Sequence, residues 1–185
     1  MVRSLLMENV FELVNDDSSL EIEGTQYLTF SVAEETYGIE LLKIREILEY
    51  EPITSIPLMP MYLAGVLNLR GKVVPVINLH QLFNEQPIQL GKKTCIIIVD
   101  VALSEDNGRR NTMEIGVLVD MVFRVINLPK HQIEPPPELG SRIRADFIEG
   151  MGNLEGRFIV LLDTNRVLST EALVMVDNLS NGIRE

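Results

Sequence analysis

A run of fourteen residues that opens at Gly65 returns 85 positions later. Gly65-Val66-Leu67-Asn68-Leu69-Arg70-Gly71-Lys72-Val73-Val74-Pro75-Val76-Ile77-Asn78 aligns with Gly150-Met151-Gly152-Asn153-Leu154-Glu155-Gly156-Arg157-Phe158-Ile159-Val160-Leu161-Leu162-Asp163, with Gly, Asn, Leu and Gly shared at the first, fourth, fifth and seventh places. Upstream, Gly38-Ile39 followed by Ile44, Ile47 and Leu48 parallels Gly116-Val117 followed by Val122, Val125 and Ile126, and Ile53 to Pro57 parallels Ile133 to Pro137. A chain built this way folds as two similar halves that bury apolar faces against one another.

The content of each half points to strands. Tyr27–Val32 and Tyr37–Leu41 are short β-prone runs flanking Glu34-Glu35-Thr36, and Val66–Leu69 and Val73–Ile77 flank Arg70-Gly71-Lys72 as a second hairpin. Residues 52–62 hold three prolines, which excludes a central strand. Cys95–Val99 is apolar on both faces and reads as a fully buried strand. A charged loop over Ser104–Asn111 leads to Ile115–Val119, and Glu155-Gly156 turns a later pair of strands. Leu79–Phe83 reads as one helical turn, and Asp163 is placed to cap a short helix reaching Leu168. Short strands at this density predict a mainly β fold, and a half of about 70 residues suits a small five-stranded barrel filled by its own side chains. The expected organisation is an acidic extension over 1–24, a two-barrel region over 25–170 divided near residue 90, with strands free to cross that division, and a helix or tail over 171–185.

Composition narrows the function. The formal charge of −11 repels phosphate backbones and argues against nucleic acid. A single cysteine cannot form an internal disulfide. The longest stretch free of polar residues, Ile56 to Leu67, has 12 residues and holds two prolines and a glycine, well short of the ~20 that a membrane helix needs. The reading is a cytoplasmic protein with no insertion into membranes. Residues 1–24 carry six acidic side chains and one basic; Leu6, Val10, Leu13 and Val14 fit either a short amphipathic helix or a loose acidic tail.

Nothing forms a catalytic constellation. His80 and His131 each lack a second ligand at helical spacing, so no metal site is expected. Cys95 opens an apolar strand and reads as a small buried hydrophobe. Gly150-Met151-Gly152-Asn153-Leu154-Glu155-Gly156 places its third glycine one residue late for a dinucleotide loop, and a strand follows it, so no cofactor is expected. Asp100, Asp120 and Asp163 each end an apolar run and suit strand ends and caps. Recognition surfaces remain. The connector from Ile56 to Leu63 suits either a partner protein or a loop laid over a barrel mouth. Arg70 suits either a partner carboxylate or a solvated turn.

Taken in order, Tyr37-Gly38-Ile39 with Lys43-Ile44-Arg45-Glu46-Ile47, Ile53-Thr54 with Pro57 and Pro60, and Gly65-Val66-Leu67-Asn68-Leu69-Arg70-Gly71 through Pro75-Val76-Ile77 resemble the CheW coupling proteins of bacterial chemotaxis. So do Gly116 to Asp120, Ile133-Glu134-Pro135-Pro136 and Leu161-Leu162-Asp163. The resemblance implies a non-catalytic adaptor of two SH3-like five-stranded β-barrel subdomains, without cofactor or metal. It would link the cytoplasmic tips of chemoreceptors to the regulatory domain of a CheA-type histidine kinase. Carried over position by position, it marks Ile44, Glu46, Ile53, Gly65, Arg70, Gly116, Val122 and Val125 as protein-binding positions. The receptor tip would dock in the groove between subdomains, and the kinase against the end of one barrel.

The chain departs from the family at Asn78-Leu79-His80, where Asp and Leu-Arg are usual, and at the bulky Met121 and Phe123. The 104–111 loop and the acidic lead are longer than usual. These departures leave open an adaptor for pili or second-messenger control, and the two-lobed build leaves open a small-ligand sensor.

Overall fold

The computed structural model describes residues 23–83, 86–106, 109–136 and 147–168. The expectations for residues 1–22, for the 171–185 tail and for Pro137 lie outside them. The strands are β1 (Thr25–Val32), β2 (Glu35–Glu40), β3 (Ile44–Glu49), β4 (Leu63–Leu69), β5 (Lys72–Asn78), β6 (Cys95–Asp106), β7 (Arg109–Val119), β8 (Met121–Leu128), β9 (Ile133–Glu134), β10 (Ile148–Leu154) and β11 (Arg157–Leu162). Two short helices, α1 (Leu79–Leu82) and α2 (Thr164–Leu168), follow β5 and β11. A 3-10 turn over Leu41–Lys43 makes the bend between β2 and β3.

Sheet 1 runs β8-β1-β2-β11-β10-β9 and sheet 2 runs β3-β6-β7-β5-β4. Both sheets cut across the division near residue 90, because β1 and β2 join strands from the end of the chain while β3 to β7 make the other sheet. The repeat explains the pattern. Replacing β8, β1, β2, β11 and β10 by β3, β6, β7, β5 and β4 turns one strand order into the other. The parallel pairing also corresponds, with Leu161 opposite Gly38 in one sheet and Val76 opposite Gly116 in the other.

The expectation of fully closed barrels needs correction. Among the described residues the terminal strands of neither sheet pair with each other. In sheet 2 the gap is spanned by one isolated bridge, in which Thr54 N–H donates to Val66 O at 3.0 Å and Val66 N–H to Thr54 O at 2.9 Å. The prolines around Thr54 prevent a longer ladder there. The charged 104–111 stretch is also not a free loop: β6 and β7 continue through it, paired as far as Asp106 and Arg109.

The core has three parts, and strand alternation sorts residues among them. Ile97 and Val99 of β6 join Leu28, Phe30, Ile39, Ile47 and Val117 in a large cluster between the sheets. Ile96 and Ile98, on the other face of β6, fill the inside of sheet 2 with Leu67, Leu69, Val74 and Val76. Tyr27, Ile126, Leu128, Ile159 and Leu161 fill the inside of sheet 1. This is why β6 is apolar on both faces.

Candidate protein-binding surface

Both repeat hairpins are two-residue turns with positive φ at each central residue, 51° and 83° at Arg70 and Gly71, and 52° and 80° at Glu155 and Gly156. The shared asparagine of each repeat holds its turn: Gly71 N–H donates to Asn68 Oδ1 at 3.0 Å, and Gly156 N–H to Asn153 Oδ1 at 3.2 Å. Arg70 is therefore held at the tip of a rigid hairpin. Its Nη2 donates to Glu46 Oε2 on β3 at 2.9 Å, linking the two terminal strands of sheet 2 beside the Thr54–Val66 bridge. The Arg70 side chain is still 72% exposed, so it remains largely open to solvent despite the pair. The structure thus pairs this exposed turn arginine with a carboxylate of its own chain, Glu46.

The marked residues fall into two groups. Glu46, Ile53, Gly65 and Arg70 gather where sheet 2 draws together. Gly65, at φ 143°, lets Thr54 approach so closely that a Cβ would lie 2.2 Å from the Thr54 carbonyl oxygen, and Ile53 packs on the core inside that sheet. Ile44 on β3 and Val122 and Val125 on β8 occupy corresponding terminal strands, half-buried against the cluster between the sheets. Gly116 stands apart, buried in β7 where a Cβ would meet Ile96 and Val76 at 3.0 and 3.1 Å. Gly65 and Gly116 therefore shape the surface from beneath.

The proline-rich connector faces both ways. Met59 and Tyr62 pack inward on the core between the sheets, whereas Leu58 and Met61 are 103% and 80% exposed. Sequence reasoning missed Val73 and Phe158, equivalent residues of the repeat that are 72% and 55% exposed just past the hairpin tips. It also missed the surroundings of His80, whose ring nitrogens face Asp120 Oδ1 and Gln86 O, each at 2.8 Å. Asp120 in turn accepts from Ala33 N–H at 2.9 Å, so α1 is tied to the β1–β2 turn of the other sheet. The departure at His80 was visible in the sequence, but its distant partner Asp120 was not.

Among the described residues no group of three or more His, Cys, Asp or Glu could hold a metal ion. Burial pushes the Cys95 thiol up, away from the reactive thiolate. A hollow at the start of β1 is lined by Gly24, Thr25, Gln26, Glu40 and Leu42, with Glu40 its one charged residue among the described residues. Among the described residues no helix is long and apolar enough to cross a membrane.

Residues 26–172 match the CheW-like domain family. Chemotaxis protein CheW of Klebsiella aerogenes is 34% identical over 160 residues, covering 86% of this chain and 91% of that protein. Chemotaxis protein CheW of Treponema pallidum is 30% identical, covering 85% and 89%. The crystal structure of the scaffolding protein TtCheW from Thermoanaerobacter tengcongensis superimposes with a TM-score of 0.69 at 31% identity, covering 80% of this chain and 95% of that one. With the repeat hairpins, the exchanged sheets and these likenesses together, the chain belongs to the CheW family of chemotaxis adaptor proteins.

Proposed function

We propose that this protein is a cytoplasmic, non-catalytic adaptor that holds the regulatory domain of a CheA-type histidine kinase against the cytoplasmic tip of a chemoreceptor. The observation that carries this reading is Arg70, presented on a rigid hairpin and exposed although paired with Glu46. The kinase domain would meet the surface where sheet 2 draws together, around Ile53, Glu46 and Arg70. The receptor tip would meet the apolar strip of Ile44, Val122 and Val125, as a helix laid into a groove. Each contact is modest in area, and repetition across an array supplies the avidity.

Co-sedimentation with a receptor cytoplasmic fragment and a kinase regulatory domain tests the proposal. Arg70→Glu should abolish assembly. Because it also sets a like charge beside Glu46, it should cost about 1 kcal/mol of stability. The double variant Arg70→Glu with Glu46→Arg restores the internal pair with its polarity reversed. It should recover the stability and leave assembly broken. Recovered assembly would reduce Arg70 to a structural role, and failure of the wild-type chain to assemble would end the proposal.

A further inference from the structure

The terminal strands β3 and β8 carry bulges at equivalent places. In β3 the register shifts between Ile44 and Glu46, and β8 accommodates Phe123 and Arg124 where β1 moves only from Leu28 to Phe30. A bulge sets two consecutive residues against one on the partner strand, so neighbours that would alternate across the sheet can both face solvent. That happens at Phe123, which is 48% exposed, and at Arg124, which is exposed beside it. The buried Thr29 pins the bulge from below: its hydroxyl donates to Arg124 O at 2.7 Å and accepts from Arg124 N–H at 3.3 Å.

The two bulges differ in their partners. On β3, Arg45 pairs with Asp100 and Glu46 with Arg70, so both charges are satisfied within sheet 2. By the repeat, Arg124 corresponds to Glu46 and Glu155 to Arg70, which reverses the charges; yet among the described residues Arg124 makes no ion pair with Glu155 or any other carboxylate. The residue in Arg45's place is Phe123. An aromatic ring and an unpaired guanidinium therefore stand side by side on a pinned strand edge in a chain of net charge −11. They border Val122 and Val125, where the receptor tip is proposed to dock.

We infer that Phe123 and Arg124 determine receptor specificity, selecting a helical tip that places a carboxylate next to an apolar residue along the face laid against β8. The inference rests on the docking proposed above and adds the chemistry of the partner. Complementary charge at the rim of an interface acts mainly on partner choice and on the salt dependence of binding. The aromatic ring supplies apolar area at little entropic cost.

The test uses the full chain and chemoreceptor cytoplasmic fragments, with a CheA-type regulatory domain as a second, independent readout. Arg124→Glu should weaken receptor binding roughly tenfold at low salt and flatten its salt dependence. Kinase-domain binding and thermal unfolding should stay as in the wild type, since no internal pair is lost. Phe123→Ser should weaken receptor binding at all salt concentrations. Unchanged receptor binding in both variants, alongside loss in Val122→Asp, would overturn the specificity role while leaving the docking site intact. A fall in thermal stability of Arg124→Glu would show Arg124 to be structural and overturn it too. Removing residues 1–22 tests the other occupant: a gain in receptor affinity that vanishes in Arg124→Glu would assign the arginine to the chain's own acidic lead and overturn the inference. Absence of receptor binding by the wild type would instead strike the docking proposal itself.

Discussion

Sheets 1 and 2 share one strand order, and they differ most where each draws its ends together. In sheet 1, β9 lies along β10 and contributes two paired residues, Ile133 and Glu134. In sheet 2 the equivalent stretch contributes one bridge at Thr54, supplemented by the Arg70–Glu46 ion pair across the surface. The equivalent join is thus made with backbone and side-chain apolar contact in one half, and with a backbone crossing plus charge in the other. The half joined by charge carries the surface proposed to meet the kinase.

The glycines beneath the two joins sharpen this contrast most. Gly65 has a positive φ and a backbone oxygen where a Cβ would go, and neither can yield cheaply. Gly150 has no positive φ, and its absent Cβ would meet Ile133 Cγ2 at 2.6 Å and the Glu134 carbonyl oxygen at 3.1 Å, so it is crowded but free of the backbone strain and the 2.2 Å backbone clash at Gly65. Gly65→Ala should therefore cost about 3 kcal/mol and Gly150→Ala about 1 kcal/mol, measured by chemical denaturation. Equal costs would mean that the joins are equally tight and the contrast false.

Each short helix also reaches across to the opposite sheet. His80 of α1 reaches the Ala33 amide through Asp120, while Asn165 of α2, its counterpart in the repeat, accepts directly from the Ala102 amide at 3.1 Å. The alanines correspond as well. The His80 side chain is buried and the Asn165 contact is exposed. His80→Ala leaves a carboxylate oxygen of Asp120 without its partner and should cost about 2 kcal/mol, against about 0.5 kcal/mol for Asn165→Ala. A reversed order would show that the sheets are clasped mainly through α2.

These devices mark the limit of what was legible in the sequence. The hairpins could be read because Asn-x-x-Gly turn chemistry is local, and the buried β6 because five apolar residues in a row leave no face for water. The pairing of β2 with β11 and of β5 with β7 could not, since a parallel pairing leaves no turn signal between its strands. The 104–111 stretch reads as a loop by charge, yet its backbone continues the β6–β7 ladder, because backbone pairing does not depend on the side chains that charge counts. At the surface, Arg70 was identifiable from its motif. The exposed Phe123-Arg124 pair depends on a bulge, which local alternation does not reveal.

The smallest expected effect lies inside sheet 1, where Tyr27 stands in the place that Ile96 takes in sheet 2. Tyr27 OH donates to Glu149 Oε1 at 3.0 Å. Glu149 is exposed as a residue, but its carboxyl end lies against the buried Tyr27 ring. Burial there pushes its carboxyl above the ordinary glutamate range; the Tyr27 hydroxyl and Lys43 pull it back, while the charges of Glu40 and Asp163 raise it further. Burial, with the Glu149 charge second, likewise raises the Tyr27 phenol. For both groups the folded chain holds its proton more tightly than the unfolded chain, so their contributions are complete at low pH and are lost as pH climbs through the raised values. Glu149→Gln should therefore flatten the decline in stability just above the normal glutamate range of about 4.3, and Tyr27→Phe should flatten the decline above about pH 10. Denaturation midpoints collected across pH for the two variants and the wild type check both. A wild-type slope that survives Glu149→Gln would move the titrating group elsewhere and leave the interiors of the two sheets electrostatically alike.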